Sequence, residues 1–359
     1  PGAAACEAAL AKASRILPLI TLAHAPSASN NAYWPEMYTN MSIVRDDPPR
    51  PYYDAGKRPR FGAVEPFDPQ LFSRIDEYVD EVLSGTPGAR YSPLEVAEWL
   101  DDLAGGGVKE LENALAGSVP AGSVAFRRLS ADVMIQCGIG RFFAGKFRSA
   151  VLWSLYERSG DREAAAGAVE IYRAARKAWA VAADEAVVYV SDISYGAEPW
   201  LRGHWRDRLP AIDADIAEMA RQAAADSVSP GGDQSNIRAV QLQALQQLFS
   251  RPQRPVARGE HQPAARFQPG APLEISIRLP EKGTTALLHY RHVNQAEAWR
   301  VTPMRRDGDR HAAVVDGDYT GSPYPLQYYF ELRGDGGPSL FPGLNPNLTN
   351  QPYFVVRQA

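Results

Sequence analysis

The sequence predicts a multidomain chain: the end of an α/β, barrel-like domain, then an all-α helical domain, then a small all-β sandwich of immunoglobulin-like or fibronectin-like form. Three observations predict it. An Ala-rich helical run, Ala3 to Ser14, leads into the apolar run Ile16 to Ala23. Apolar residues at helical spacing, punctuated by caps, then fill most of the chain from Asp68 to Phe249. After that the apolar period switches to two, with turn clusters between the runs. The expected boundaries are 1–66 for a terminal βα element and its loop, 67–250 for the helical domain, 251–265 for a linker and 266–359 for the sandwich.

A bounded apolar run following a helix reads as a buried strand of an α/β layer, which assigns Ile16–Ala23 to a strand. One βα repeat cannot close a sheet, so the neighbours of this strand are expected upstream or on a partner chain. The chain opens without an initiating Met, a basic n-region or a signal h-region. Residues 24–66 are rich in Pro, Asn and Asp, and the Pro48-Pro49 step forbids helix. Eight aromatic or Met residues fall between Tyr33 and Phe61, so this loop is expected to pack against something.

Helical signals begin at Asp68-Pro69, a cap with Pro at the first helical position, and Leu71, Phe72, Ile75, Tyr78, Val79, Val82 and Leu83 follow until Gly85. Ser92-Pro93-Leu94-Glu95 is a capping box, and its helix is expected to stop at Gly105-Gly106-Gly107. A long run from Val124 to Leu155 carries Gly138, Gly140 and Gly145, which point to close helix–helix approach because each costs about 1 kcal/mol relative to Ala. Asp161 starts another Ala-rich helix, and two more are expected near Asp207–Ala225 and Ser235–Phe249. Helices in series make a bundle.

Residues 251–265 are polar and without period, the mark of a linker. Strand-like alternation follows in Leu273–Leu279, Ala286–Val293, His311–Val315, Leu326–Leu332 and Tyr353–Val356. Asp307-Gly308, Asp316-Gly317 and the glycine-rich 334–337 stretch punctuate it.

Composition excludes several function classes. With 38 Lys+Arg against 42 Asp+Glu there is no electrostatic reason to expect nucleic acid or an anionic membrane as partner. The longest apolar stretches fall well short of the roughly 20 residues a membrane span needs. Of the two cysteines, Cys137 sits among apolar helix positions and reads as a buried free thiol. No C-x-x-C and no zinc spacing occurs, so neither metal nor cofactor is expected. Gly138-x-Gly140 lacks a preceding strand and is a packing feature, not a dinucleotide loop. His289 and His292, three apart on a strand, fall on opposite faces and do not share a metal. No serine has a nucleophile-elbow context.

Two segments could carry chemistry. The first runs from His24 to Asn40. If Ile16–Ala23 were a barrel strand, this loop would leave its C-terminal end, where barrel enzymes place their active sites. Trp34 and Tyr38 could stack on a sugar face, His24 and Asn31 could bond hydroxyls, and Glu36 could serve as acid or base. The plainer alternative is that the aromatics pack the loop and Glu36 is a solvated or capping carboxylate. The second segment spans residues 192–208, where Tyr195, Trp200, His204 and Trp205 interleave with Asp192, Glu198, Arg202, Arg206 and Asp207. Tyr195, His204 and Asp207 are the candidate sugar contacts. The same residue types equally suit a network that caps helix ends.

At Asn31–Met41, Tyr91–Leu103, Asp132–Tyr156 and Tyr195–Leu209 the sequence resembles the end of large bacterial glycoside hydrolases. Its arrangement is similar to family 67 α-glucuronidases and their relatives, in which a barrel is followed by helices and sometimes a β-sandwich. The resemblance implies hydrolysis of a glycosidic bond in a plant or microbial polysaccharide or oligosaccharide, beside a uronic or similarly acidic sugar. It also implies a secreted or periplasmic enzyme of which this chain is the C-terminal part, working with an upstream barrel domain. Two alternatives stay open: a polysaccharide lyase, because helical toroids also precede β-sandwiches, and a non-catalytic carbohydrate-binding or structural module.

Overall fold

The computed structural model describes residues 2–24, 41–46, 60–117, 119–189, 193–194, 202–225, 254, 258–281 and 283–359. The helix expected at 235–249 lies outside the described residues. The chain divides into two units, Pro1–Thr86 with Tyr91–Pro252, and Pro87–Arg90 with Gln253–Ala359.

The first unit begins with two helices, α1 (Gly2–Ala13) and α2 (Ile16–Ala23). The expected strand is therefore corrected to a helix, and with it the terminal βα element. Ile16, Leu19, Ile20 and Ala23, at i, i+3, i+4 and i+7, are buried, whereas Leu22 is 40% exposed. That is one apolar stripe of a helix. Pro18 lies in the first turn, where its missing N–H breaks no intrahelical bond. A helix also satisfies its backbone internally, which a strand without a sheet cannot do.

Helix α3 (Ile75–Ser84) starts later than Asp68 because Phe72 first bridges to Tyr91, and it ends at Gly85 in the left-handed conformation. Helix α4 (Pro93–Ala116) has the Ser92–Glu95 capping box in full, with the Ser92 hydroxyl accepting from the Glu95 N–H. It runs through the glycine triplet where a stop was expected. The reason is tertiary. A Cβ on Gly107 would lie 2.8 Å from the Cys137 sulfur, and one on Gly106 2.8 Å from the Lys12 side chain. Small residues let α1 and the next helix press onto α4.

Helices α5 (Val124–Ser159) and α6 (Arg162–Glu185) form the centre, the latter capped by Asp161. A Cβ on Gly138 would meet that of Ala182 at 2.5 Å, and one on Gly145 that of Ala175 at 2.7 Å. The expected close approach is thus along α6. A minimal antiparallel pair, β1 (Ile193–Ser194) and β2 (Arg202–Gly203), interrupts the helices. A short 3₁₀ turn, Trp205–Arg208, then leads into α7 (Leu209–Ala225).

The second unit is built on two antiparallel layers. Its strands are β3 (Arg266–Phe267), β4 (Leu273–Arg278), β5 (Thr285–His292), β6 (Arg300–Pro303), β7 (Arg305–Asp307), β8 (Arg310–Val315), β9 (Leu326–Gly334), β10 (Gly337–Phe341) and β11 (Phe354–Gln358). One layer has the order β3-β11-β9-β5-β6 with β10 also on β9, and the other β4-β8-β7. Among these strands, only the short β3–β11 pairing is parallel. In register, Leu288 faces Phe330 and Tyr290 faces Tyr328, and these pack with Ile275, Ile277 and Val315 in the core. The alternation read in the sequence is the alternation of buried and outer positions along β5.

The linker expected at 251–265 is corrected at its C-terminal end. Glu260 exchanges both backbone hydrogen bonds with Arg278 at 2.9 Å. His261 bonds the Ser276 carbonyl at 2.7 Å and the Tyr328 hydroxyl at 2.8 Å, with its ring against Phe330 and Phe354. Burial lowers its pKa.

Candidate functional site: a buried polar cluster at Phe61

Two charged side chains occupy positions that the helical pattern reserves for apolar ones. Lys146 shares the inner face of α5 with Phe142, Phe143, Phe147 and Ser149, and its exposure is 0%. Asp215 lies among Ile212, Ile216 and Met219 on the inner face of α7. A buried charge is costly unless it is hydrogen-bonded and feels an opposite charge; both side chains are hydrogen-bonded, and each acts electrostatically on the other.

Lys146 Nζ donates to the carbonyl of Met41 at 2.6 Å. The ammonium also lies 4.8 Å from the ring centroid of Phe61, 5.4 Å from Tyr172 and 5.7 Å from Phe142. Asp215 accepts the Ser42 hydroxyl at 2.5 Å and the Ile43 N–H at 3.2 Å. Ser42 Oγ in turn accepts from Val44 and Arg45, which folds residues 41–45 into a tight turn.

Phe61 is where the cluster converges. Its N–H donates to the Ser42 carbonyl at 2.7 Å. Its carbonyl accepts from His24 Nε2 at 2.7 Å, and the imidazole stacks on its ring at 3.9 Å between centroids. His24 and Ser42 flank the 25–40 segment, so the two described ends of that segment meet on one residue.

Burial dominates the electrostatics. It lowers the Lys146 pKa to about 7, with the Asp215 carboxylate acting the other way. Burial also lowers His24 to about 4, helped by the nearby Lys146 and opposed by the Phe61 carbonyl. Asp215 is raised by burial against the pull of Lys146 and Ser42. The Tyr172 phenol is held well above its ordinary value, first by burial and then by Asp215. Near neutral pH the His24 imidazole and the Tyr172 phenol are therefore neutral, and the Lys146 amine is close to its midpoint. Such a set can hold backbone in place and exchange a proton.

Lys146, Asp215, Tyr172 and Ser42 do not stand out in the sequence as site residues. A signal for two of them is present, since Lys and Asp stand on otherwise apolar helix faces. The Ser42 contact joins residues 173 apart and has no local signature.

Of the expected site residues, Asn31, Trp34, Glu36, Tyr38 and Tyr195 lie outside the described residues. His24 is described, and its place is inside the unit, packed on Phe61 and Phe147, rather than on a face open to a sugar. His204 and Asp207 are also described, and both cap the 3₁₀ turn. His204 Nδ1 accepts from the Arg206 N–H at 3.1 Å while Nε2 donates to the Ala186 carbonyl at 3.0 Å. Asp207 accepts from the His204 N–H at 2.8 Å. Trp205 supplies the carbonyl that Trp179 Nε1 bonds at 2.7 Å. These bonds occupy both ring nitrogens of His204 and one carboxylate oxygen of Asp207, atoms that were candidates for sugar hydroxyls. In the sandwich, His289 bonds Glu331 and Tyr329 on one face of β5, and His292 bonds Glu297 and the Tyr319 carbonyl on the other. Among the described residues, no group of three or more His, Cys, Asp or Glu is placed to hold a metal ion, and no helix is long and apolar enough to cross a membrane.

No protein-family model matches the chain, and no curated protein matches it. Among solved structures it is similar to one described as a GH138 enzyme targeting pectin rhamnogalacturonan II. The two share 15% identity and a TM-score of 0.49, over 62% of this chain and 32% of the other. The chain thus spans about a third of that protein's length. At this degree of likeness the neighbour's activity does not transfer to the chain.

Proposed function

We propose that the chain is the C-terminal portion of a carbohydrate-active enzyme, a glycoside hydrolase, with the 24–40 segment as its substrate-contacting element. The observation that supports this reading is the convergence at Phe61. Buried hydrogen bonds from His24 and Ser42 fix both ends of a segment that holds Asn31, Trp34, Glu36 and Tyr38. A recognition loop needs such anchoring, because a sugar is bound by groups already held in position. In this reading Trp34 and Tyr38 stack on the sugar, Asn31 bonds a hydroxyl, and Glu36 acts as acid or base. His24 serves the segment as an anchor at its N-terminal end. A hydrolase commonly uses two carboxylates. The segment offers one, so in this reading the other comes from elsewhere in the same enzyme, or from a partner chain.

The test uses the complete enzyme on uronic-acid-containing polysaccharides and oligosaccharides. Glu36→Gln and Trp34→Ala are each expected to reduce turnover at least several-fold with little change in Tm, a recognition group being worth about 1–3 kcal/mol. His289→Ala, on the sandwich, is expected to leave turnover unchanged. Products are expected without the ultraviolet absorbance of an unsaturated sugar; its presence would assign elimination instead. Full activity in Glu36→Gln, with Trp34→Ala only lowering Tm, would make the segment packing and defeat the reading.

A further inference from the structure

Two basic side chains, His24 and Lys146, lie against one phenyl ring, that of Phe61, inside the helical unit. The titratable groups that face them from the surrounding elements, among the described residues, are Asp215 on α7 and Tyr172 on α6. Tyr172 stays neutral throughout the acid and neutral range. Asp215 favours the proton on the Lys146 amine. A second proton, on the imidazole, lands beside a like charge, since Lys146 is the charged group that acts on His24. Two cations sharing a buried aromatic pocket repel each other, and opening the pocket to water relieves that repulsion.

We propose that this cluster is an acid-sensitive catch, in which protonation of His24 beside Lys146 releases residues 41–45 and Phe61 from the helical unit. The released portion is small and well defined. It is held by Met41 to Lys146, by Ser42 and Ile43 to Asp215, and by Phe61 to His24, while the Phe61 N–H on the Ser42 carbonyl ties the released residues to one another. Loss of the pocket around Phe61 removes the ring on which His24 and Lys146 meet.

The direction follows from linkage. His24 titrates at about 4 when docked and near its ordinary 6.5 when released. The released state therefore binds more protons, and docking weakens as pH falls from 6.5 to 4. Lys146 works in the same sense at higher pH: docking strengthens as pH rises from about 7 toward 10.5. Asp215, whose pKa is raised by burial, opposes the imidazole in acid. A His24 variant that leaves Asp215 intact separates the two. The catch is a property of this cluster alone and does not depend on what the chain binds.

The experiment is backbone amide exchange on the full chain, followed at Ile43, Val44, Arg45 and Phe61 from pH 7 to pH 4 and corrected for intrinsic rates. Protection is expected to fall about tenfold or more between pH 6.5 and 4, while amides in the middle of α5 keep theirs. His24→Gln retains an N–H donor toward the Phe61 carbonyl and cannot be protonated, so its protection is expected to stay level. An unchanged wild-type profile, or the same fall in His24→Gln, would overturn the proposal. Should His24→Gln fail to fold, exchange at the imidazole C2 position of the wild type reports the His24 titration directly. A midpoint near 4 supports the catch and one near 6.5 overturns it.

Discussion

Lys146 donates to the carbonyl of Met41 across 105 residues of sequence, with the Asp215 carboxylate close enough to raise its proton affinity. The pair ties α5 and α7 to a turn that neither helix touches in sequence. Removing one partner leaves the other side chain buried without that opposite charge. Lys146→Met or Asp215→Asn is expected to cost about 3–5 kcal/mol in urea unfolding. The double variant should recover part of that loss, because an apolar side chain and an amide need no counter-charge. A double variant as unstable as the sum of the singles would mean that the two act independently.

Lys146 also predicts a stability slope in base. Its pKa is about 7 folded and 10.5 unfolded, so the unfolded chain holds more protons between those values. Wild-type stability relative to Lys146→Met should therefore rise with pH over that window, by up to about 1.4 kcal/mol per unit. Comparing the two proteins at each pH cancels the other titrating groups. A flat difference from pH 7 to 10 would mean that the amine is not held as described.

Glycines in the helical unit divide by surroundings. Gly138→Val places a Cβ 2.5 Å from that of Ala182, forces α5 from α6, and should cost upward of about 3 kcal/mol. Gly105 is also helical, yet among the described residues nothing lies within 4 Å of where its Cβ would be. Gly105→Ala should stabilise by about 1 kcal/mol through helix propensity alone. Thermal unfolding of the two variants would show opposite signs.

The sandwich core contains His311, only 2% exposed and with neither ring nitrogen hydrogen-bonded among the described residues. Burying a polar group without a partner is unfavourable. His311→Leu is expected to raise the Tm of the sandwich, by an amount corresponding to about 1 kcal/mol. A lower Tm would point to a partner that the ring engages in solution.

The boundary of the sandwich can be tested by truncation. A piece from Arg258 to Ala359 keeps the Glu260–Arg278 bridge and the His261 ring on Phe330 and Phe354. One from Arg266 to Ala359 lacks both and should be the less stable of the two by chemical unfolding. Equal stability would return residues 258–265 to the linker.

Periodicity and punctuation determined most of the secondary structure. Ser92-Pro93-Leu94-Glu95 and Asp161 each sit at the helix start their chemistry demands, Gly85 at a helix end, and the period of two in β5 and β8 emerges as buried alternation. These signals are local, because a cap or an alternating face is set within a few residues. Ile16–Ala23 shows the limit of that legibility. Its i, i+3, i+4, i+7 stripe is present in the sequence, but a short apolar run fits strand and helix alike until a packing partner selects one.

The tertiary structure alone decided three things. It carried α4 through three glycines, two of which, Gly106 and Gly107, leave space that neighbouring helices fill. It gave His204 and Asp207 to a helix cap, because both find backbone partners within three residues of each other and at Ala186. And it joined Ser42, Phe61, Lys146, Tyr172 and Asp215, with His24, into one buried cluster. No spacing in the chain encodes that last assembly. A lysine on an apolar helix face declares only that a partner must exist, since an unpaired buried charge is too costly to keep, and packing from distant parts of the chain determines which residue it is.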